Sequence, residues 1–181
     1  VVKDGVIYRS VYWKKAGSGV TEGLRHAESA DGLTWQEQTP VPLIPAFAGG
    51  DIADLWRHPA DGVFHLFTKN LMGTIPRCTH HSISSDMVNW QTNPDPVFKP
   101  DAADSGVTQF YGAAGPVIVD GVMVFFLRML RDDIGKGMGY TALAFSRDGH
   151  FFSRARQPWL AGTPGSYDEA HAWVYGACVR E

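Results

Sequence analysis

A β-propeller built of four-stranded antiparallel blades is the all-β fold class this sequence predicts, and three observations predict it. A hairpin motif with an Asp-Gly turn recurs, its turn glycines falling at Gly5, Gly62 and Gly121. A second motif, Ser-x-Asp followed by an aromatic, trails each of those glycines and opens at Ser29, Ser84 and Ser146. Helical periodicity is nearly absent between them. Two hairpins per repeating unit make one blade, and successive blades make a propeller.

The first hairpin of each unit is read from Val1-Val2-Lys3-Asp4-Gly5-Val6-Ile7-Tyr8, from Trp56 to Phe67 around Asp61-Gly62, and from Pro116 to Phe126 around Asp120-Gly121. Asp-Gly supplies the positive φ of a tight turn, and β-branched or aromatic residues flank it. The second hairpin is marked by Ser29-Ala30-Asp31-Gly32-Leu33-Thr34-Trp35, Ser84-Ser85-Asp86-Met87-Val88-Asn89-Trp90 and Ser146-Arg147-Asp148-Gly149-His150-Phe151-Phe152. Here the Asp is expected to accept turn amides while the aromatic packs back between sheets, so Asp31, Asp86 and Asp148 read as structural. The blade units fall at about 1–50, 51–103 and 104–167, with the start of a fourth at 168–181. Propellers usually close with four to eight blades. The chain is therefore expected to be an internal stretch of a longer protein, or to complete its ring with a second copy. Open edge strands then make self-association an expected liability.

The 181 residues suit one domain with a real core. Hydrophobic residues at 44% and charged residues at 19% exclude a disordered or fibrous chain. Sixteen Lys+Arg against nineteen Asp+Glu, with no basic run beyond Lys14-Lys15, argue against a nucleic-acid face. The longest apolar run, near Val122 to Leu127, is far short of a membrane span. The first residues show no signal-peptide zones, so the compartment is not read from them. Cys78 and Cys178 have neither CxxC nor zinc-ligand spacing, and no cofactor is expected.

In this order the motifs resemble those of the five-bladed β-propeller glycoside hydrolases, meaning the arabinanase/xylosidase, invertase-like and mannoside-phosphorylase-like groups. Four stretches carry the likeness. They are 29–35 leading through Pro42 and Pro45 to Gly49-Gly50-Asp51-Ile52-Ala53-Asp54, Ile75-Pro76-Arg77 ahead of 82–90, Asp101 to Gly112 with Thr108-Gln109-Phe110-Tyr111-Gly112, and Phe145 to Asp168. The last, ending Gly162-Thr163-Pro164-Gly165-Ser166-Tyr167-Asp168, is the most specific. The sequence has no Asp-Pro entrance motif like that of the first blade of these enzymes, and no invertase-like Glu-Cys. The resemblance implies five blades in the complete protein and action outside the cytoplasm, extracellular or periplasmic.

Cleavage of a glycosidic bond needs one carboxylic acid to protonate the leaving oxygen and one carboxylate as base or nucleophile. Acids entering successive innermost strands meet at one channel mouth. Asp51, Asp104 and Asp168, whose spacing tracks the blade repeat, fit that demand, with Asp54 and Glu169 as near alternates. Asp51 after Gly49-Gly50 and Asp104 before Ser105-Gly106 also suit plain Asx-turns. Sugar faces stack on aromatic rings, which nominates Trp56, Tyr111, Tyr167 and Trp173. Arg77 could pair with a pocket or a substrate carboxylate. His171, three residues after Asp168, is the histidine expected to face the channel. No metal motif is present among the histidines. The leading expectation is a glycoside hydrolase acting on a neutral plant or microbial glycan, inverting if it follows the arabinanase-like branch. The competing readings are a non-catalytic carbohydrate-binding propeller, a phosphorylase, and an assembly module pairing through blade edges.

Overall fold

The computed structural model describes residues 1–39, 43, 51–72, 75–135 and 137–175. Three antiparallel meanders make up the fold, with no helix among the described residues. The first sheet joins β1 (Val2–Asp4), β2 (Ile7–Lys14), β3 (Gly23–Ser29) and β4 (Gln36–Glu37). The second joins β5 (Ala53–Arg57), β6 (Phe64–Met72), β7 (Ile75–Ser84) and β8 (Gln91–Thr92). The third joins β9 (Gln109–Val119), β10 (Val122–Leu130), β11 (Gly139–Ser146) and β12 (Ser153–Arg154), with β13 (Leu160–Ala161) also paired to β11. These are propeller blades, each running in sequence order across its sheet.

The three Asp-Gly sites solve the inner turn in three ways. At Asp120-Gly121 both residues have positive φ, 48° and 73°, and Val119 pairs with Val122, a two-residue type I′ hairpin. At the first blade Asp4 stays in the strand opposite Ile7, so Gly5-Val6 form the turn with Gly5 at φ 61°. At the second, the His58 amide donates to the Val63 carbonyl at 2.8 Å around a wider loop closed by Gly62.

The outer turns repeat almost atom for atom. Asp31 Oδ1 accepts the Leu33 and Thr34 amides at 2.8 and 2.7 Å. Asp86 Oδ1 accepts those of Val88 and Asn89, both at 2.8 Å, and Asp148 Oδ1 those of His150 and Phe151, both at 2.9 Å. The amides hold the Asp31 carboxyl down at about 2, the structural role its spacing suggests. The Trp35 and Trp90 indoles donate to the Gly32 and Met87 carbonyls, while Phe152 packs inward.

The main core is the seam between the second and third blades. Trp56, Phe67 and Phe98 meet Phe110, Phe125, Leu127 and Met129 there, with Phe152 against them. Two bulges bend β9 along this seam. One lies at Gly115-Pro116, opposite Phe125; the other leaves Tyr111 without a partner between Gly112, opposite Arg128, and Phe110, opposite Met129. Cys78 is a buried free thiol. Cys178, the Pro42, Pro45 and Gly49-Gly50 approach to Asp51, and 176–181 of the fourth unit lie outside the described residues. No helix among the described residues is long and apolar enough to cross a membrane.

Candidate functional site

One end of the second and third blades gathers chemistry-bearing side chains. There β5 and β9 begin, β6 and β10 end and β7 starts, so residues distant in sequence share one rim. Asp51, half-exposed ahead of β5, pairs with the buried ammonium of Lys69 near the end of β6. Asp54, within β5, receives Arg128 from β10 through two hydrogen bonds, that from Nη1 at 3.4 Å. The Asp54 side chain is only 14% exposed. Burial pushes its carboxyl above the usual range, against the opposing pull of Arg128 and the Ala113 amide.

The site depends on a missing side chain. A Cβ at Gly112 would collide with the Arg128 guanidinium and come within 3.0 Å of Ile52. Glycine therefore leaves the corridor through which Arg128 reaches Asp54 across the seam. The next residue toward the chain start is the bulged Tyr111. Its ring carries Lys69 Nζ at 4.3 Å and Arg77 Cζ at 5.3 Å, and it stacks on Trp173 with centroids 5.0 Å apart.

Trp173 is held by its indole N–H donating to the Met129 carbonyl at 3.2 Å. His171 and Tyr175 flank it, with ring centroids 4.5 and 6.3 Å away. Arg128 Cζ lies 4.5 Å over Tyr175. Arg77 donates to Gln109 Oε1, and Gln109 Nε2 donates to Asp132, which also accepts Thr108 Oγ1 at 3.2 Å. The result is an aromatic shelf edged by charges, an arrangement suited to a polyhydroxylated ligand with apolar C–H faces.

Of the residues nominated from the sequence, Asp51, Asp54, Arg77, Tyr111, His171 and Trp173 are brought together here. The others are placed elsewhere. Asp104 is clamped by Arg154 and Arg156, which also hold Asp101. Its side chain is 2% exposed; burial would raise its carboxyl, but Arg154 and the Asp101 amide bring it below the usual range. Trp56 stacks on His65 at 4.0 Å in the seam, with no ring face left for a ligand. Asp168 and Glu169 close their own surface turn. Asp168 accepts Ser166 Oγ and the Thr163 amide, and Glu169 accepts the Gly165 amide at 3.0 Å. Tyr167 projects fully into solvent.

Sequence reasoning passed over Lys69, Arg128, Gln109, Asp132 and Tyr175. A legible signal existed for two of them. Lys69 and Arg128 are lone cations inside the apolar strands Phe64–Met72 and Val122–Leu130, where a charge is rare without a buried partner. No cluster of three or more His, Cys, Asp or Glu poised to hold a metal occurs among the described residues.

No family model and no curated protein matches this sequence. Solved structures do match it. A structure described as a glycoside hydrolase superposes with a TM-score of 0.72 at 15% identity, over 96% of this chain and 56% of that one. The fold is that of these structures, a β-propeller. Fructan 1-exohydrolase IIa from Cichorium intybus gives a TM-score of 0.62 at 18% identity, over 85% of this chain and 30% of that propeller enzyme. The β-1,2-mannobiose phosphorylase from Listeria innocua gives 0.66 at 11% identity, over 88% and 43%. The chain spans less than two thirds of each of these propeller proteins, and at such identities the likeness is one of fold.

Proposed function

We propose that the protein cleaves glycosidic bonds at the rim shared by the second and third blades. What carries the reading is the presence of two carboxyl groups, Asp51 and Asp54, and the stacked Tyr111–Trp173 shelf at the same end of a glycosidase-type propeller. Asp54, raised by burial, is the group that can hold a proton and deliver it to the leaving glycosidic oxygen. Asp51, half-exposed beside Lys69, takes the other role, activating water or stabilising the sugar's developing positive charge. Tyr111 and Trp173 hold the ring, which converts encounter into an oriented complex.

The test is D54N and D51N in the intact protein, scored against glycan libraries for turnover and for binding. Turnover should fall by about 10²-fold or more with D54N while binding persists. Unchanged turnover in both variants would sink the assignment.

One observation favours a second reading, a carbohydrate-binding propeller without chemistry. Both carboxyls are matched to cations, and Arg128 opposes proton uptake by Asp54. Sugar binding by the unaltered protein, with no product from any bound glycan, would mark that reading. Turnover that requires inorganic phosphate would mark a phosphorylase.

A further inference from the structure

Building on the carbohydrate reading, we propose that Arg77 forms an anion-recognising subsite, which takes the carboxylate of a uronic-acid residue rather than a wholly neutral glycan. Among the described rim residues, the cations are matched by carboxylates with one exception, while Asp132 accepts the neutral Gln109 and Thr108. Arg128 faces Asp54 and Lys69 faces Asp51. Arg77 is half-buried, yet it has no carboxylate within ion-pair distance among the described residues; its side-chain partner is the neutral Gln109 amide.

A partly desolvated guanidinium without a counterion is costly, and an arriving oxyanion recovers that cost. Elsewhere in the molecule the pattern differs. Arg9, Arg131, Arg154 and Arg156 each hold an acid, and Arg25, buried without one, gives its Nη donors to the Leu24 and Thr21 carbonyls while its Nε stays unpartnered among the described residues.

Geometry makes Arg77 a receptor as well as an unmatched charge. Its guanidinium lies over the Tyr111 ring, which restrains a group that would otherwise lose rotamer freedom on binding. The bulge that leaves Tyr111 unpaired in β9 re-aims that ring, and Gln109 anchors one of the guanidinium N–H groups. The remaining donors form a planar fork that matches a carboxylate, two N–H groups to two oxygens. Trp173, stacked on Tyr111, lies alongside to meet the sugar's apolar face.

The experiment is calorimetric titration of the intact protein with matched pairs: oligogalacturonides against galacto-oligosaccharides, oligoglucuronides against gluco-oligosaccharides, and inorganic phosphate alone. At least one acidic glycan should bind tenfold or more tightly than its neutral counterpart. R77Q should remove that preference, read as the ratio of acidic to neutral affinity, and R77K should restore only part of it, because it returns charge without the fork. Equal affinity within every pair, or a preference that survives R77Q, overturns the proposal and leaves the carbohydrate reading standing. Phosphate binding that depends on Arg77, without uronide binding, overturns it in favour of a phosphate site. If no glycan of either kind binds, the carbohydrate reading falls and this proposal with it. Should R77Q fail to fold, the comparison of acidic with neutral glycans on the unaltered protein still decides.

Discussion

Histidines at the blade seam tie stability to pH at single residues. His65 Nδ1 and His81 Nε2 are 2.9 Å apart, and His58 and His150 lie against the same cluster. Burial and then the neighbouring histidines push His65 down to about 3, with only Asp61 opposing; burial and His150 push His81 down to about 4. Both folded values lie below the ordinary value of 6.5, so the unfolded chain binds these protons first. Their stabilising contribution is complete above pH 6.5 and is lost progressively as pH falls from there through 4 to 3. Denaturant midpoints between pH 7.5 and 4 should therefore fall with acid, and H81Q should flatten the slope; an unchanged slope would contradict this account. Asp104 shows the limit of reading residues one at a time. Its spacing suggested a pocket acid, but Arg154 and Arg156 come from 50 and 52 residues on, and no local pattern announces them. D104N breaks a buried pair and should cost about 3–5 kcal/mol of stability, measured by chemical denaturation, while the mutant that still folds keeps its affinity for ligand.

Turns and bulges separate what was legible in an element from what was not. The Asp of each outer hairpin could be read, because one Asp accepting two turn amides is a local device and its three copies behave alike; of the aromatics, Phe152 packs into the core, while the Trp35 and Trp90 indoles donate within their own turns. Inner turns were legible only as turns. The register at Gly5-Val6 and the wide loop ending at Gly62 are set by strand pairing across the blade. The bulge at Tyr111 follows from how β9 must fit β10 and could not be inferred from alternation, although Gly112 marks a close approach. Met87 tests the outer turn energetically. It has φ 65° where its counterparts are Gly32 and Gly149, and its side chain is fully buried. The left-handed conformation costs a non-glycine residue roughly 1–2 kcal/mol, whereas truncating a buried Met to Ala costs roughly 2–5 kcal/mol. Burial wins, so M87G should destabilise by about 1–3 kcal/mol in thermal or urea unfolding. A stabilised M87G would show that strain dominates.

At the scale of the whole molecule, the candidate site straddles the seam that also holds the core. Asp51, Asp54, Lys69 and Arg77 come from the second blade, and Tyr111 and Arg128 from the third, with Trp173 pinned to β10. The blade order was legible because each blade repeats its own motifs. The cross-blade pairs were not, since they join residues as far apart as Asp54 and Arg128, 74 positions. Phe125 is the test of this coupling. Fully buried on β10, it lies 5.4 Å from both Trp56 and Phe67 of the second blade and 5.5 Å from Phe152 of its own. F125A should cost about 3–5 kcal/mol, while F125L, closer in volume, should cost under about 1.5 kcal/mol. If the seam positions both halves of the site, folded F125A should also bind glycan more weakly, although the ring contacts of Phe125 are to Trp56, Phe67 and Phe152. Ligand should in turn raise the melting temperature of F125A by mass action. Undiminished affinity in F125A, with stability reduced as expected, would mean that the rim contacts alone hold the two blades in register.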